Sequence, residues 1–316
     1  MIDSAETLTA AAPETAPEIP TAATARAETP LGRFISDYRE SKPAVAAFVI
    51  FCALVFIAIF APLISPQNPY DLGEIDIMDS RLPPGAVGLA GLTHVLGTDD
   101  QGRDMLSAIF YGLRISLGVG VMSGVIALSI GLSVGLAAAY YGGRLDAIIM
   151  RVVDLQLSFP AILLALIVLA VLGKGVDKII IALVAFQWAY YARTVRASAL
   201  VERHKEYIEA ATCLALSHQR IVFRHLLPNV IPPLIVVATV QVAHAIALEA
   251  TLSFLGVGLP LTEPSLGLLI ANGFDYMLTG KYWISFFPGI ALLLTIFSIN
   301  LVGDQLRDVL NPRLQK

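Results

Sequence analysis

Residues 206–228 read EYIEAATCLALSHQRIVFRHLLP, a charged and helix-patterned stretch that lies between two strongly apolar runs. Its first half has apolar residues at helical spacing, namely Tyr207, Ala210, Ala211 and Leu214. Glu206 and Glu209 fall on the opposite face, and a second amphipathic piece follows. We expect Pro228 to end that piece, because proline has no backbone N–H with which to continue a helix. Two short helices of this kind can form a compact projection that fills a groove on a soluble partner.

The composition is that of a membrane protein. Apolar residues make up 56% of the 316 residues, the mean hydropathy is +0.74, and the charged residues, at 15%, cluster between the apolar runs. A net charge of −4 and the lack of a basic, aromatic-rich patch argue against a nucleic-acid partner. Cys52 lies in an apolar run and Cys213 in the polar stretch, so neither a disulfide nor a cysteine metal site is expected.

About six apolar runs approach the length that a helix needs to cross ~30 Å of hydrocarbon, which predicts an all-α, polytopic membrane protein. The predicted spans are 43–64, 115–139, 155–172, 179–199, 230–254 and 283–302. The chain then divides into a disordered cytoplasmic tail (1–42), the first span with an extracytoplasmic insert (43–110), a transmembrane core (111–304) and a cytoplasmic tail (305–316).

The second span contains two pairs of glycines spaced four apart, namely Gly120 with Gly124 and Gly131 with Gly135. Small residues at this spacing let helices approach closely in lipid, where little hydrophobic force acts between helices. We expect both pairs to serve helix packing rather than contact with a substrate.

Polar side chains are rare within the spans, and the fifth span contains the notable group, Gln241, His244 and Glu249. Charges in a bilayer usually face the protein interior or an aqueous path. Glu249 lies ~20 residues into its span, near the far interface, because a helix rises ~1.5 Å per residue. We favour a packing or interface role for this group over a role in a transport pathway.

The insert contains HVLGTDDQGRD at residues 94–104, in which three carboxylates lie near Arg103. Asp99, Asp100 and Asp104 could form a metal or acid–base site. We favour a glycine-rich turn in which the carboxylates cap the following helix.

The distribution of basic residues predicts the orientation. With the N-terminus placed in the cytoplasm, 15 of the 21 Lys and Arg residues fall on the inner side. This bias places both termini and the polar stretch 206–228 in the cytoplasm.

The chain contains no obvious energy source of its own. It lacks the Gly-rich phosphate-binding motif of a nucleotide site, and the spans have few ionisable groups that could couple an ion gradient. We therefore expect a separate subunit to supply energy by docking at residues 206–228. The alternative is a self-contained channel or secondary carrier. A membrane enzyme is disfavoured, because no nucleophile–base pair stands out.

Six motifs give the chain from residue 30 onward a resemblance to permeases of the dipeptide, oligopeptide and nickel group of ABC importers. They are HVLGTDDQGRD (94–104), YGLRISL (111–117), GGRLDAIIMRVVDLQLSFP (142–160), YIEAATCLALSHQRIVFRHLLPNVIPPLIV (207–236), LEATLSFLGVGLP (248–260) and FPGIALLLTIFSINLVGDQLRDVLNPR (287–313). The chain resembles the subunit that has a large insert after its first span. In this family residues 199–229 correspond to the EAA loop, the name we use below.

The resemblance implies the type I, MetI-like permease fold in a bacterial cytoplasmic (inner) membrane. It also implies a second homologous permease, two cytoplasmic ATPase subunits that bind ATP and Mg, and an extracytoplasmic substrate-binding protein, with membrane lipid around the two permeases. The chain itself would then have no catalytic residue, metal or cofactor, and would admit peptides or similar small solutes.

By resemblance, the docking role falls on residues of the EAA loop, namely Glu209, Ala210, Ala211, Ala215, Leu226 and Pro228. The family usually has glycine where this chain has Ala215. If the turn requires a positive φ, alanine there costs up to ~1 kcal/mol relative to glycine.

Overall fold

The computed structural model describes residues 30–71 and 73–310, and these residues are mostly helical. The helices are α1 (Pro30–Glu40), α2 (Lys42–Ile64), α3 (Met105–Tyr141), α4 (Gly143–Leu157), α5 (Ala161–Leu172), α6 (Val176–Arg203), α7 (Glu206–Cys213), α8 (His218–Phe254), α9 (Leu266–Phe274) and α10 (Trp283–Leu310). A small antiparallel hairpin, β1 (Ala86–Val87) and β2 (Thr93–His94), lies in the insert. The all-α prediction is thus confirmed.

Four of the described helices, α2, α3, α8 and α10, are long and apolar enough to cross a membrane. Helices α4 and α5 are bent by 89° at the break between them, and would make a fifth span if counted as one. Helix α6 has 28 residues but is more polar, because its second half contains several arginines. All six predicted apolar runs therefore lie on helices, although only four or five qualify by length and composition.

The predicted third span, 155–172, is not one straight helix. Its first residues belong to α4, the chain turns at Ser158–Pro160, and α5 begins only at Ala161. Pro160 lacks an N–H and therefore occupies the cap position before the first turn of α5. At 12 residues and ~1.5 Å per residue, α5 is too short to cross the bilayer alone.

Both predicted tails are partly helical. Residues 30–40 form α1 rather than a disordered segment, and residues 1–29 lie outside the described part. Helix α10 continues through Leu310, so the helix includes half of the predicted C-terminal tail, and residues 311–316 also lie outside it. Gln305 donates a hydrogen bond to the Asp37 carbonyl at 3.4 Å, which links α10 to α1.

Pro228 does not end the helix in which it lies, contrary to the prediction. Helix α8 begins at His218 and runs to Phe254, with π-helical hydrogen bonding over Ile221–Leu226. Pro228 lies where the pattern changes to α-helical, a point at which a residue without an N–H is tolerated. The charged part of the EAA loop is consequently continuous with a membrane span.

The glycine pairs of α3 lie at two helix contacts, as predicted. A Cβ at Gly131 would lie 2.6 Å from the Trp188 carbonyl oxygen of α6, and one at Gly135 would lie 2.6 Å from that of Ala192. A Cβ at Gly120 would lie 2.6 Å from the side chain of Ile246 of α8. Helix α3 therefore packs against both helices that flank the EAA loop in sequence.

Candidate functional site

The EAA loop consists of the end of α6, helix α7, a turn, and the first turns of α8. Ile208 and Ala211 of α7 are buried against Ile221 of α8, and Leu216 and Tyr140 complete this small cluster. The loop therefore has an apolar core of its own. It contains the two predicted helical pieces, but the second is the start of a span.

The buried face of α7 differs from the predicted one. Of the four apolar residues at helical spacing only Ala211 is buried, whereas Tyr207, Ala210 and Leu214 are exposed. Ile208, which the spacing argument omitted, takes their place in the core. The α7 surface is consequently both apolar and acidic, because Glu209 is exposed as well.

Apolar exposure is pronounced at this end of the molecule. Leu214, in the turn after α7, is 75% exposed, and Phe223, among the charged first turns of α8, is 65% exposed. Exposed large apolar side chains that adjoin charged ones are typical of a surface that binds another protein.

The turn after α7 has alanine in a left-handed conformation, with φ of 53° at Ala215. The Leu216 N–H donates to the Ala211 carbonyl at 3.2 Å, and the Ala215 N–H donates to the Thr212 carbonyl at 2.9 Å. This is the hydrogen-bond pattern of a Schellman helix end, at which glycine is preferred because it lacks a Cβ. The condition stated from the sequence, a positive φ at position 215, is met.

Leu226 and Pro228 are placed differently from each other. Leu226 is buried in a cluster with Val230 and Leu234 of α8 and with Tyr191 and Val195 of α6. Pro228 is exposed. Leu226 therefore anchors the EAA loop to the membrane domain. Its predicted contact with a docked partner stays a prediction, and the burial of its side chain does not support it.

A polar network holds the two ends of the loop together. The Tyr207 hydroxyl donates to Glu202 at 2.7 Å and accepts from the Asn229 amide at 3.0 Å. Lys205 pairs with the same carboxylate at 2.6 Å. Partial desolvation and the bond to Glu202 raise the pKa of Tyr207 to about 12. Sequence reasoning missed this network, because its members lie on three different helical segments.

The polar group in the fifth span does not form one site. Glu249 is fully buried and accepts hydrogen bonds from the hydroxyls of Ser116 and Ser253, each at 2.8 Å. Gln241 is buried, and its backbone carbonyl accepts a hydrogen bond from the side-chain amide of Gln187 at 3.5 Å. His244 is exposed on α8 and is not a core residue. The burial of Glu249 and Gln241 agrees with the packing or interface role that the sequence favoured, and an interface role for the exposed His244 stays a prediction.

In the insert, the carboxylates cap and brace the start of α3. Asp104 is the N-cap residue and accepts from the Ser107 N–H at 2.8 Å, while His94 bonds its other oxygen at 3.0 Å. Asp99 accepts from the Arg103 guanidinium at 2.6 Å, and both side chains are buried. Across residues 30–71 and 73–310, no group of three or more His, Cys, Asp or Glu side chains is placed to hold a metal.

Comparison with known proteins assigns this arrangement to a family. The model of a binding-protein-dependent transport system inner membrane component matches residues 127–316. The chain belongs to this family of permeases. Residues 29–84 of the permease also match the N-terminal transmembrane domain of oligopeptide transport permease C.

Relatives cover almost the whole permease. It is 39% identical over 289 residues to the dipeptide transport system permease protein DppC of Escherichia coli K12, covering 91% of this chain and 95% of that one. It is 36% identical over 279 residues to the oligopeptide transport system permease protein OppC of Bacillus subtilis 168, covering 88% of each. The di/tripeptide permease DppC of Pseudomonas aeruginosa UCBPP-PA14 is 35% identical over 286 residues, covering 90% of this chain and 93% of that one.

A solved structure has the same fold. A chain of the inward-facing MetNI methionine ABC transporter superposes with a TM-score of 0.54 at 23% identity, covering 65% of this permease and 97% of that chain. The MetI-like fold prediction is thereby confirmed. The permease is a multi-pass inner-membrane subunit of an ABC importer, a family whose members work with ATPase and partner permease subunits. The comparisons give no support to the alternative of a self-contained channel or carrier.

Proposed function

We propose that this permease admits peptides across the inner membrane, and that ATPase subunits drive it by docking on the EAA loop. The observation that supports docking most directly is the exposed, mixed surface of α7, which has Glu209 and Ala210 beside Leu214. This surface stands on a separate apolar core and is anchored to the membrane domain through Leu226. Peptides are proposed as the cargo because the relatives described above are named as permeases for them.

The docking chemistry follows from the exposed groups. No ion pair engages Glu209 within the described residues, so its carboxylate is free to meet a basic side chain of a partner. Ala210 next to it has no bulky side chain, and so permits a close approach. Leu214 and Phe223 would supply apolar contact area. The partner groove is therefore expected to be apolar with a basic residue at its edge.

The assembly in this proposal has two homologous permeases, two cytoplasmic ATPase subunits that bind ATP and Mg, and an extracytoplasmic substrate-binding protein. Both termini and the EAA loop lie in the cytoplasm, as the excess of basic residues on that side indicates. The insert then faces the binding protein. The permease contributes no catalytic residue, and hydrolysis takes place in the ATPase subunits.

Charge reversal tests docking. Glu209→Lys should abolish co-purification of the ATPase subunits and peptide uptake, while the variant still inserts in the membrane. Glu40→Lys is the matched control, because Glu40 is an exposed carboxylate of α1, outside the EAA loop. Undiminished uptake by Glu209→Lys would refute the docking role. ATP hydrolysis by the purified permease alone would refute the assignment of hydrolysis to other subunits.

The orientation can be tested with the natural cysteines. Cys213 is exposed on the EAA loop, and Cys52 lies in the first span. In a Cys52→Ala background, a membrane-impermeant maleimide should label Cys213 in inside-out vesicles and not in intact spheroplasts. Labelling from outside would overturn the proposed orientation.

A further inference from the structure

Tyr140, in the last turn of α3, belongs to two apolar clusters at once. Its ring packs with Ile208, Ala211 and Ile221 in the core of the EAA loop. The same ring also packs in the cluster that contains Leu226 and joins α3, α6 and α8 within the membrane domain. The EAA loop therefore contacts a span that is not its neighbour in sequence.

Polar contacts fix Tyr140 from both ends of the loop. Its hydroxyl is hydrogen-bonded to Nδ1 of His218, the first residue of α8. The guanidinium of Arg203, the last residue of α6, lies 5.9 Å from the ring centroid. Arg203 also donates from Nη1 to the Ala139 carbonyl at 2.8 Å, which satisfies a carbonyl of the last turn of α3. Movement of either end of the loop must displace α3 or break these contacts.

The opposite end of α3 is equally constrained. Asp104, its N-cap, donates from its backbone N–H to the Gln67 side chain at 2.6 Å and accepts from His94 at 3.0 Å. The N–H of Met105 donates to the Gly97 carbonyl at 3.0 Å. Each of these partners belongs to the insert. Helix α3 thus has one end built into the insert and the other built into the core of the EAA loop.

Helix α3 is suited to transmit displacement along its length. It has 37 residues without a proline, which at ~1.5 Å per residue spans the bilayer and beyond. Close glycine contacts hold α3 directly against the backbones and side chains of α6 and α8, so that a displacement of α3 is shared with both helices. Continuous helices that move as rigid bodies are a common element of switching transitions.

We propose that α3 connects the binding-protein side of this permease to its ATPase side, with Tyr140 as the positioning residue at the EAA loop. The proposal rests on the function proposed above and adds α3 to the two helices, α6 and α8, that flank the EAA loop in sequence. Tyr140 is a positioning residue in this proposal, because it acts through α3. Its role is to make the position of α3 depend on the position of the loop.

Tyr140→Ala tests this link in proteoliposomes that contain the full transporter. The readout is the ratio of ATP turnover with and without peptide-loaded binding protein. We expect this ratio to fall by ~2–30-fold, the range of coupling changes seen for mutations remote from both ligands. Because Tyr140 also belongs to the apolar core of the EAA loop, both turnovers are normalised to the amount of co-purified ATPase, so that weaker docking alone would leave the ratio unchanged. Tyr141→Ala is the control, because Tyr141 is adjacent and 67% exposed.

A double-mutant cycle distinguishes loss of the Tyr140–His218 contact from misfolding of a single variant. Tyr140→Phe retains the ring and removes the hydroxyl, and His218→Ala removes its partner at an exposed position. Each should lower the stimulation ratio modestly, and the double variant should be no worse than the poorer single one. Normal stimulation in Tyr140→Ala and additive effects in the cycle would each overturn the proposal. Glu209→Lys is assayed in parallel as the test of docking. If Glu209→Lys abolishes co-purification of the ATPase subunits while Tyr140→Ala has normal stimulation, the role of α3 is refuted and the docking role is not.

Discussion

Glu249 of α8 accepts a 2.8 Å hydrogen bond from the hydroxyl of Ser116 of α3, and both side chains are fully buried. The other carboxyl oxygen accepts from Ser253, one turn further along α8. A carboxyl group within an apolar bundle is stable only when its oxygens are satisfied. The bond therefore joins α8 to α3 at the end of the helices nearer the insert.

Removal of the Ser116 hydroxyl should weaken this helix contact. We expect Ser116→Ala to lower the free energy of unfolding by about 1 kcal/mol, because one oxygen of a buried carboxyl group loses its donor. Unfolding in mixed detergent micelles measures the effect. Ser129→Ala is the control, because Ser129 lies on the same helix, is exposed, and bonds only its own helix backbone. Equal effects in the two variants would contradict the role assigned to the Ser116–Glu249 bond.

Glycine at position 215 should stabilise the EAA loop. Ala215→Gly relieves the left-handed strain of alanine and should stabilise the turn by up to ~1 kcal/mol, measured by hydrogen exchange of the amides of residues 211–216. Ala210→Gly is the control of opposite sign, because Ala210 lies within α7 and glycine destabilises a helix interior by ~1 kcal/mol. Faster exchange in Ala215→Gly would show that the turn is not strained.

Enlargement of Gly131 should separate α3 from α6. Gly131→Ala places a methyl group 2.6 Å from the Trp188 carbonyl oxygen, which the backbone of α6 cannot avoid without moving. We expect destabilisation of ~1–3 kcal/mol and a lower thermal midpoint in detergent. Gly118→Ala is the matched control on the same helix, since no atom lies within 4 Å of its added Cβ. A normal midpoint for Gly131→Ala would contradict the close packing.

Neutralisation of two adjacent carboxylates in the insert, Asp99 and Asp100, should change the stability of the insert in opposite directions. Desolvation and the nearby charge of Asp99 raise the pKa of Asp100, and its Oδ1 is buried without a hydrogen-bond partner within the described residues. A raised folded pKa means that the ionised form opposes folding, so stability is lost as pH rises through that pKa. Asp100→Asn should therefore stabilise the insert at pH 7 and flatten the pH dependence above the ordinary pKa of aspartate.

Asp99→Asn supplies the contrast. It leaves the buried Arg103 guanidinium without its anion, and loss of one partner of a buried ion pair typically costs ~3–5 kcal/mol. Thermal unfolding between pH 4 and pH 8 measures both variants. Destabilisation of the insert by Asp100→Asn at pH 7 would contradict the interpretation of the raised pKa.

Local patterns predicted the features that depend on neighbouring residues. Apolar runs indicated the membrane segments, the spacing of glycines indicated the close faces of α3, and the carboxylates of residues 94–104 indicated a cap on the following helix. Alanine at position 215, where the family usually has glycine, indicated backbone strain if φ at that position were positive. Each inference needed only a few consecutive residues, because helical periodicity, capping and backbone sterics act over one or two turns.

The errors arose where packing chose between locally similar options. Helical spacing could not distinguish burial of Ile208 from burial of Tyr207, since the choice depends on which side of α7 meets Ile221 and Tyr140. The effect of Pro228 depended on a π-helical segment that no local pattern indicated.

Composition and periodicity were enough to predict a helical membrane protein with a charged loop between two spans, because burial in lipid and helix formation depend on them. The resemblance of several motifs to a known family was needed to predict a permease. Which side chains share a site depends on how the helices pack together. Tyr140 meets His218 across 78 positions of the chain, and Ser116 meets Glu249 across 133. Such pairs are brought together by the packing of whole helices, which no local stretch of residues encodes.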